Sequence, residues 1–229
     1  MQMVTTFLNI IFPKVCIMCN CPAQQNNLCN KCIEQLPIKK FSCPNCANAT
    51  PTNAVCGNCL DKKPIWQNAY VPFHYSGIIQ YIIKQLKYHH QPHLAKTLAF
   101  EFYRHYSGEK PDAIIPVPLH KKRLSFRKFN QSYLIAKHLA HLFAVPLLQN
   151  VAYRKKDTQS QTQLNNKQRA KNMKNAFVLK HKEKIQGKHL VLCDDVYTTG
   201  STLTSLSKEI KKFKPSQIDV WCIARSGKE

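Results

Sequence analysis

Apolar residues fall at 78, 79, 82, 83 and 86, the spacing of one helix face, and predict a helix over 78–88. Leu94 to Tyr106 reads as a second helix, and Asn130 to Phe143 as a third, with apolar positions at 134, 135, 139 and 142. Short apolar runs predict strands: Ala69 to Tyr75, Asp112 to Val117 ending at Pro118, Val151 to Arg154, and Ala176 to Leu179. His189 to Cys193 reads as a buried strand, Thr202 to Phe213 as a helix and Ile218 to Ala224 as a last strand. From about residue 112 strands alternate with helices, which predicts an α/β fold with a mostly parallel sheet flanked by helices. Ligands of such sheets bind beyond the carboxyl ends of strands, here after Val117 and after Cys193. Asp61 to Gln67 is polar, contains Pro64 and reads as a linker, dividing the chain into 1–64 and 65–229.

The first part is set by cysteines. Cys16-x2-Cys19 and Cys29-x2-Cys32 are followed, at an offset of 27, by Cys43-x2-Cys46 and Cys56-x2-Cys59. Two such knuckles make a closed tetrahedral thiolate site, so eight ligands suit two structural Zn²⁺ ions. Pairing is either sequential, favoured by the repeat, or crossed between alternate knuckles. A disulfide framework requires export, and the start, Met3 to Phe12, lacks a basic lead and a small-residue cleavage site. Cys21 fits no pair. Cys193 and Cys222 lie in apolar strands and are expected to be buried and inert. His89, His90 and His93 have no carboxylate among them and read as exposed helix-end residues or phosphate contacts.

Charge sharpens this picture. Thirty-four Lys and Arg against twelve Asp and Glu give a net charge of +22, which suits a polyanionic partner. The excess is greatest over 120–191, whereas the last 38 residues are nearly neutral. Six scattered glycines exclude a GxGxxG dinucleotide motif and a GxxxxGK[ST] phosphate loop. No apolar run reaches membrane-spanning length. The expected location is the cytoplasm. Peripheral attachment at the inner membrane through Met3 to Phe12 competes with packing of that segment on the zinc module.

Two of the twelve acids, Asp194 and Asp195, adjoin at a strand end and lead into Thr198, Thr199, Gly200, Ser201 and Thr202. Hydroxyls and amides at a helix start can wrap a phosphate, while carboxylates suit sugar hydroxyls or Mg²⁺. An Asp-rich turn with a Ser/Thr helix cap is the plainer reading. Upstream, Lys121, Lys122, Arg123, Arg127 and Lys128 interleave with Phe126 and Phe129, and Arg169 follows in the basic zone. Cations with stacking aromatics suit single-stranded nucleic acid. Alternatively, the cations serve only a small phosphate ligand or form a solvated face, and the phenylalanines are core.

The segment 192–202, LCDDVYTTGST, resembles the phosphoribosyl-pyrophosphate (PRPP) motif of type I phosphoribosyltransferases. The whole chain resembles the ComF family of competence proteins. The shared features are the four CxxC pairs, Ile115-Pro116-Val117-Pro118, Arg127 with Phe129-Asn130-Gln131, the Arg154, Gln161, Arg169, Asn172 series, and Ala224-Arg225. The resemblance implies that Asp194 and Asp195 meet the ribose hydroxyls, partly through Mg²⁺, and that Thr198 to Thr202 hold the 5-phosphate. The turn at Val117 and Pro118 would take pyrophosphate, and Arg154 to Arg169 would close over it, with Arg154, Lys155 or Lys156 stabilising the leaving group. It also implies natural transformation, single-stranded DNA as a partner, and contact with inner-membrane uptake proteins or recombination proteins. The alternative is a phosphoribosyltransferase acting on an unidentified acceptor. One departure stands out: Lys128 occupies a position where the family has Gly.

Overall fold

The structure, a computed structural model, describes residues 15–23, 26–155 and 176–227. Its centre is a five-stranded parallel sheet in the order β1, β7, β6, β3, with β2 continuing beside β7. The strands are β1 (Ala69–Tyr70), β2 (Phe73–His74), β3 (Ala113–Pro116), β6 (His189–Tyr197) and β7 (Gln217–Arg225). A separate antiparallel ribbon joins β4 (Ala152–Arg154) to β5 (Phe177–Leu179).

Period-two alternation sorts the core into two layers. Val191, Cys193, Trp221 and Ile223 face one cluster, with Ile79, Ile82, Ile83 and Leu86 of α3 (Gly77–Tyr88), Leu98 and Phe102 of α4 (Leu94–His105), and Ile135 and Leu139 of α6 (Gln131–Phe143). Leu190, Leu192, Val220 and Cys222 face the other, with Leu203, Leu206 and Ile210 of α7 (Ser201–Lys211). The flanked parallel sheet is the fold class expected from the sequence.

The cysteine segment repeats in three dimensions. Cys16 N–H bonds Cys21 O as Cys43 N–H bonds Asn48 O, each at 2.8 Å. Bridges Val15–Pro22 and Ser42–Ala49 also match at an offset of 27. Each unit ends in a helical turn, α1 (Asn30–Glu34) or α2 (Gly57–Asp61). The first unit packs in the α3 layer and the second in the α7 layer, so the pair straddles the sheet edge. Ala69 N–H bonds Pro44 O, and His74 N–H bonds Pro37 O. These bonds cover the edge strands, which would otherwise be open to pairing.

Four local features differ from the sequence reading. The strand expected over 69–75 is split into β1 and β2 around Val71 and Pro72, and a proline has no N–H for a ladder. The 61–67 segment is anchored rather than free: Trp66 is buried, meets Tyr197 edge-on at 6.2 Å, and donates its indole N–H to Asn45 O at 2.6 Å. A helix not anticipated, α5 (Lys121–Arg127), follows β3, and β6 runs on through both acids to Tyr197.

Candidate functional site

A cleft of about 280 Å³ opens at the carboxyl ends of β3 and β6. It gathers Asp194, Asp195, Thr198 and Thr202 with Val117, Pro118, Arg123, Arg127 and Arg154, all residues singled out in the sequence. It also gathers Gln131, named in the sequence beside Phe129 and Asn130, and adds Tyr75, Lys87 and Ser132, which sequence reasoning missed.

Each acid has a fixed partner. Lys87 of α3 forms an ion pair with Asp195, and both side chains are largely buried. Ser132 of α6 donates its hydroxyl to Asp194 Oδ1 at 2.7 Å, and Asp195 N–H donates to the same oxygen at 3.0 Å. Burial, then the adjacent Asp195 charge, pushes the Asp194 carboxyl up to about 7, against the Ser132 bond. Burial lowers Lys87 most, but the Asp195 charge and hydrogen bond together with the Asp194 and Tyr75 charges outweigh it, and the ammonium titrates above its ordinary value. Lys87 had one sequence signal: it continues the i, i+4 apolar series of Ile79 and Ile83.

The loop after β6 is shaped from beneath. Gly200 sits at φ +72, and a Cβ there would lie 2.6 Å from the Tyr197 hydroxyl, so only glycine fits. Arg225 stacks on the Tyr197 ring at 4.2 Å and donates to the carbonyls of Tyr197 and Thr198. Thr199 Oγ1 lies 3.1 Å from Ser201 Oγ and accepts Ser201 N–H at 3.4 Å. The loop thus presents amides and hydroxyls at the start of α7, an arrangement suited to a phosphate.

On the other wall, Asn130 caps α6, accepting from Ser132 N–H and Tyr133 N–H, and donates to Val117 O at 3.0 Å. It therefore ties the Val117 turn to the helix carrying Ser132. Lys128 ends α5 at φ +65, the left-handed region that glycine adopts without cost.

The basic aromatic segment divides by face. Arg123 and Arg127 line the cleft, with Arg127 over the Tyr88 ring at 5.3 Å. Lys121, Lys122 and Lys128 are exposed, and so is Phe126 at 79%. Phe129 is half-buried against the α3 layer. Arg154 lies over Phe177 at 5.9 Å, and Lys155 is exposed at the end of β4. Lys156, Gln161, Arg169, Asn172 and Met3 to Phe12 lie outside the described residues.

The cysteines assemble sequentially, not crossed: Cys16, Cys19, Cys29 and Cys32, then Cys43, Cys46, Cys56 and Cys59, with the sulfurs of each set within 4.8 Å of one another. Sulfur separations of 3.6–3.7 Å match the edge, about 3.8 Å, of a tetrahedron with zinc–sulfur bonds of about 2.3 Å. Both sets fit Zn²⁺. Mg²⁺ does not fit the acidic pair as arranged, because Asp195 is already held by an ammonium and Asp194 Oδ1 by two donors. His89, His90 and His93 are exposed and join no ligand cluster among the described residues. Burial raises the Cys193 and Cys222 thiols well above their ordinary value, as an inert role requires. No helix among the described residues is long and apolar enough to cross a membrane.

The double zinc ribbon domain family matches residues 7–60, and the phosphoribosyl transferase domain family matches residues 84–229. Competence protein F of Haemophilus influenzae is 36% identical over 92% of this chain and 96% of its own length. DNA utilization protein YhgH of Escherichia coli is 31% identical over 93% and 98%. Competence protein ComFC of Bacillus subtilis is 24% identical over 93% and 95%. The chain belongs to the competence protein F family, with a double zinc ribbon ahead of a phosphoribosyl transferase domain.

Proposed function

We propose that this protein handles incoming single-stranded DNA in the cytoplasm during natural transformation, and that its cleft takes PRPP or a related phosphorylated ribose. The observation that carries the reading is the division of α5. Arg123 and Arg127 turn to the cleft, while Lys122 and Phe126, one helical turn apart, turn to solvent. An exposed aromatic among cations suits base stacking on a strand whose backbone the cations follow. Three arginines and the Thr198–Thr202 loop suit a phosphate, and the carboxylates suit the ribose hydroxyls. The relatives' names, competence and DNA utilization, agree with a DNA partner. In this reading residues 1–64 are a zinc-stiffened buttress, and any Mg²⁺ enters on the pyrophosphate of PRPP. Attachment to inner-membrane uptake machinery or recombination proteins would be peripheral.

Fluorescence anisotropy with a labelled oligonucleotide tests the DNA part. Single strands should bind in preference to duplex, and affinity should fall steeply with salt. Phe126→Ala should weaken binding by about 1–3 kcal/mol, the contribution of one stacked base. Equal affinity for duplex, or no effect of Phe126→Ala, would reject the assignment.

A further inference from the structure

We propose that Lys87 is the resident cation of the acidic pair, standing where a divalent ion would otherwise be needed, so that the cleft accepts a phosphorylated pentose with no metal on its ribose side. This rests on the sugar-phosphate reading of the cleft.

Three elements converge on the two carboxylates. Lys87 comes from the end of α3, Ser132 from the start of α6, and the Asp195 amide from β6 itself. The Lys87 side chain is 15% exposed and that of Asp195 is 6% exposed, so the pair is built into the wall rather than floating over it. A salt link with so little solvent is far less screened than a surface pair. Magnesium needs near-octahedral oxygen ligation at about 2.0–2.1 Å. To bind both acids it would have to displace a lysine whose stem is buried and break or bend the Ser132 bond.

The ammonium also does what a metal on the ribose side would do electrostatically. Two adjacent carboxylates would repel a sugar phosphate. Lys87 cancels one charge in place, and Arg123, Arg127 and Arg154 then leave the cleft with a positive balance. An ammonium carries three donors, so it can hold Asp195 and still meet a ligand oxygen.

Two measurements on the zinc-loaded full-length protein test this. In Mn²⁺ titrations followed by electron paramagnetic resonance, the wild type should show no Mn²⁺ site at the acids. Lys87→Met should gain one that Asp195→Asn removes. In calorimetry with ribose 5-phosphate, wild-type affinity should agree within about twofold with and without Mg²⁺, whereas Lys87→Met should lose at least about tenfold without it. Lys87→Arg keeps the charge and controls for folding.

A wild-type Mn²⁺ site at the acids, a tenfold gain on adding Mg²⁺, or a Lys87→Met protein that gains no Mn²⁺ site would each overturn the assignment. If ribose 5-phosphate gives no heat but Lys87→Met gains Mn²⁺, Lys87 remains the resident cation and the sugar-phosphate reading falls.

Discussion

Phe126 and Arg127 are chain neighbours that serve opposite sides of α5. The phenylalanine is 79% exposed to solvent, while the arginine lines the cleft and lies over Tyr88. A helix advances about 100° per residue, and here that turn separates an exposed aromatic from the arginine-lined wall of the cleft. In the proposed function, a short helix with arginines at 123 and 127 and outward residues at 122 and 126 serves two anions.

Gly200 supports the loop in two ways, through its left-handed backbone and its closeness to Tyr197. Gly200→Ala should destabilise the fold by about 1–3 kcal/mol and abolish PRPP binding. Urea denaturation with calorimetry reads both effects, and a variant that binds normally would contradict this role.

Lys128 should be improvable. Its φ of +65 costs a non-glycine residue about 1 kcal/mol. Lys128→Gly should therefore raise stability by about 0.5–1 kcal/mol, the gain being reduced by the glycine's greater unfolded freedom. A lower denaturation midpoint would show that the lysine makes a compensating contact.

Asp194 links stability to pH. Its carboxyl ordinarily titrates near 3.8 and is pushed to about 7 by burial and by Asp195. Between those values the folded chain keeps a proton that the unfolded chain has lost, so stability falls as pH rises from about 4 to about 7. Asp194→Asn escapes this loss. Its stability relative to the wild type should be about 1–3 kcal/mol higher at pH 8 than at pH 5. The same difference at both pH values would contradict the raised value.

Zinc should hold more than the ribbons. Trp221 shares a packed layer with Cys16, Cys29 and Cys32, and Trp66 shares the other with Cys43, Cys46 and Cys59. Stripping the metal should release about two zinc ions per chain and red-shift the emission of both tryptophans together. Zinc loss with unchanged emission would mean that the ribbons are not part of the core.

What the sequence showed was local. The cysteine repeat, the tandem acids and the Thr198–Thr202 loop each lie within a short stretch, so spacing alone placed them. Alternating strands and helices gave the sheet for the same reason. Lys87 was missed because its partner lies more than a hundred residues away, and only the fold brings α3 to β6. Helix α5 was missed because it is seven residues long, buries none of its residues and ends on Lys128 instead of the usual glycine. Trp66 was missed because its polar, proline-bearing neighbours read as a linker, whereas its own ring is core.

In the proposed function α5 carries two ligands on two faces, and one titration tests that division directly. PRPP is titrated calorimetrically into the protein, alone and with saturating single-stranded DNA. Separate faces predict the same PRPP affinity in both cases, and a Phe126→Ala protein that keeps it. An apparent PRPP affinity that falls in proportion to added DNA would place both anions in one site and contradict the division.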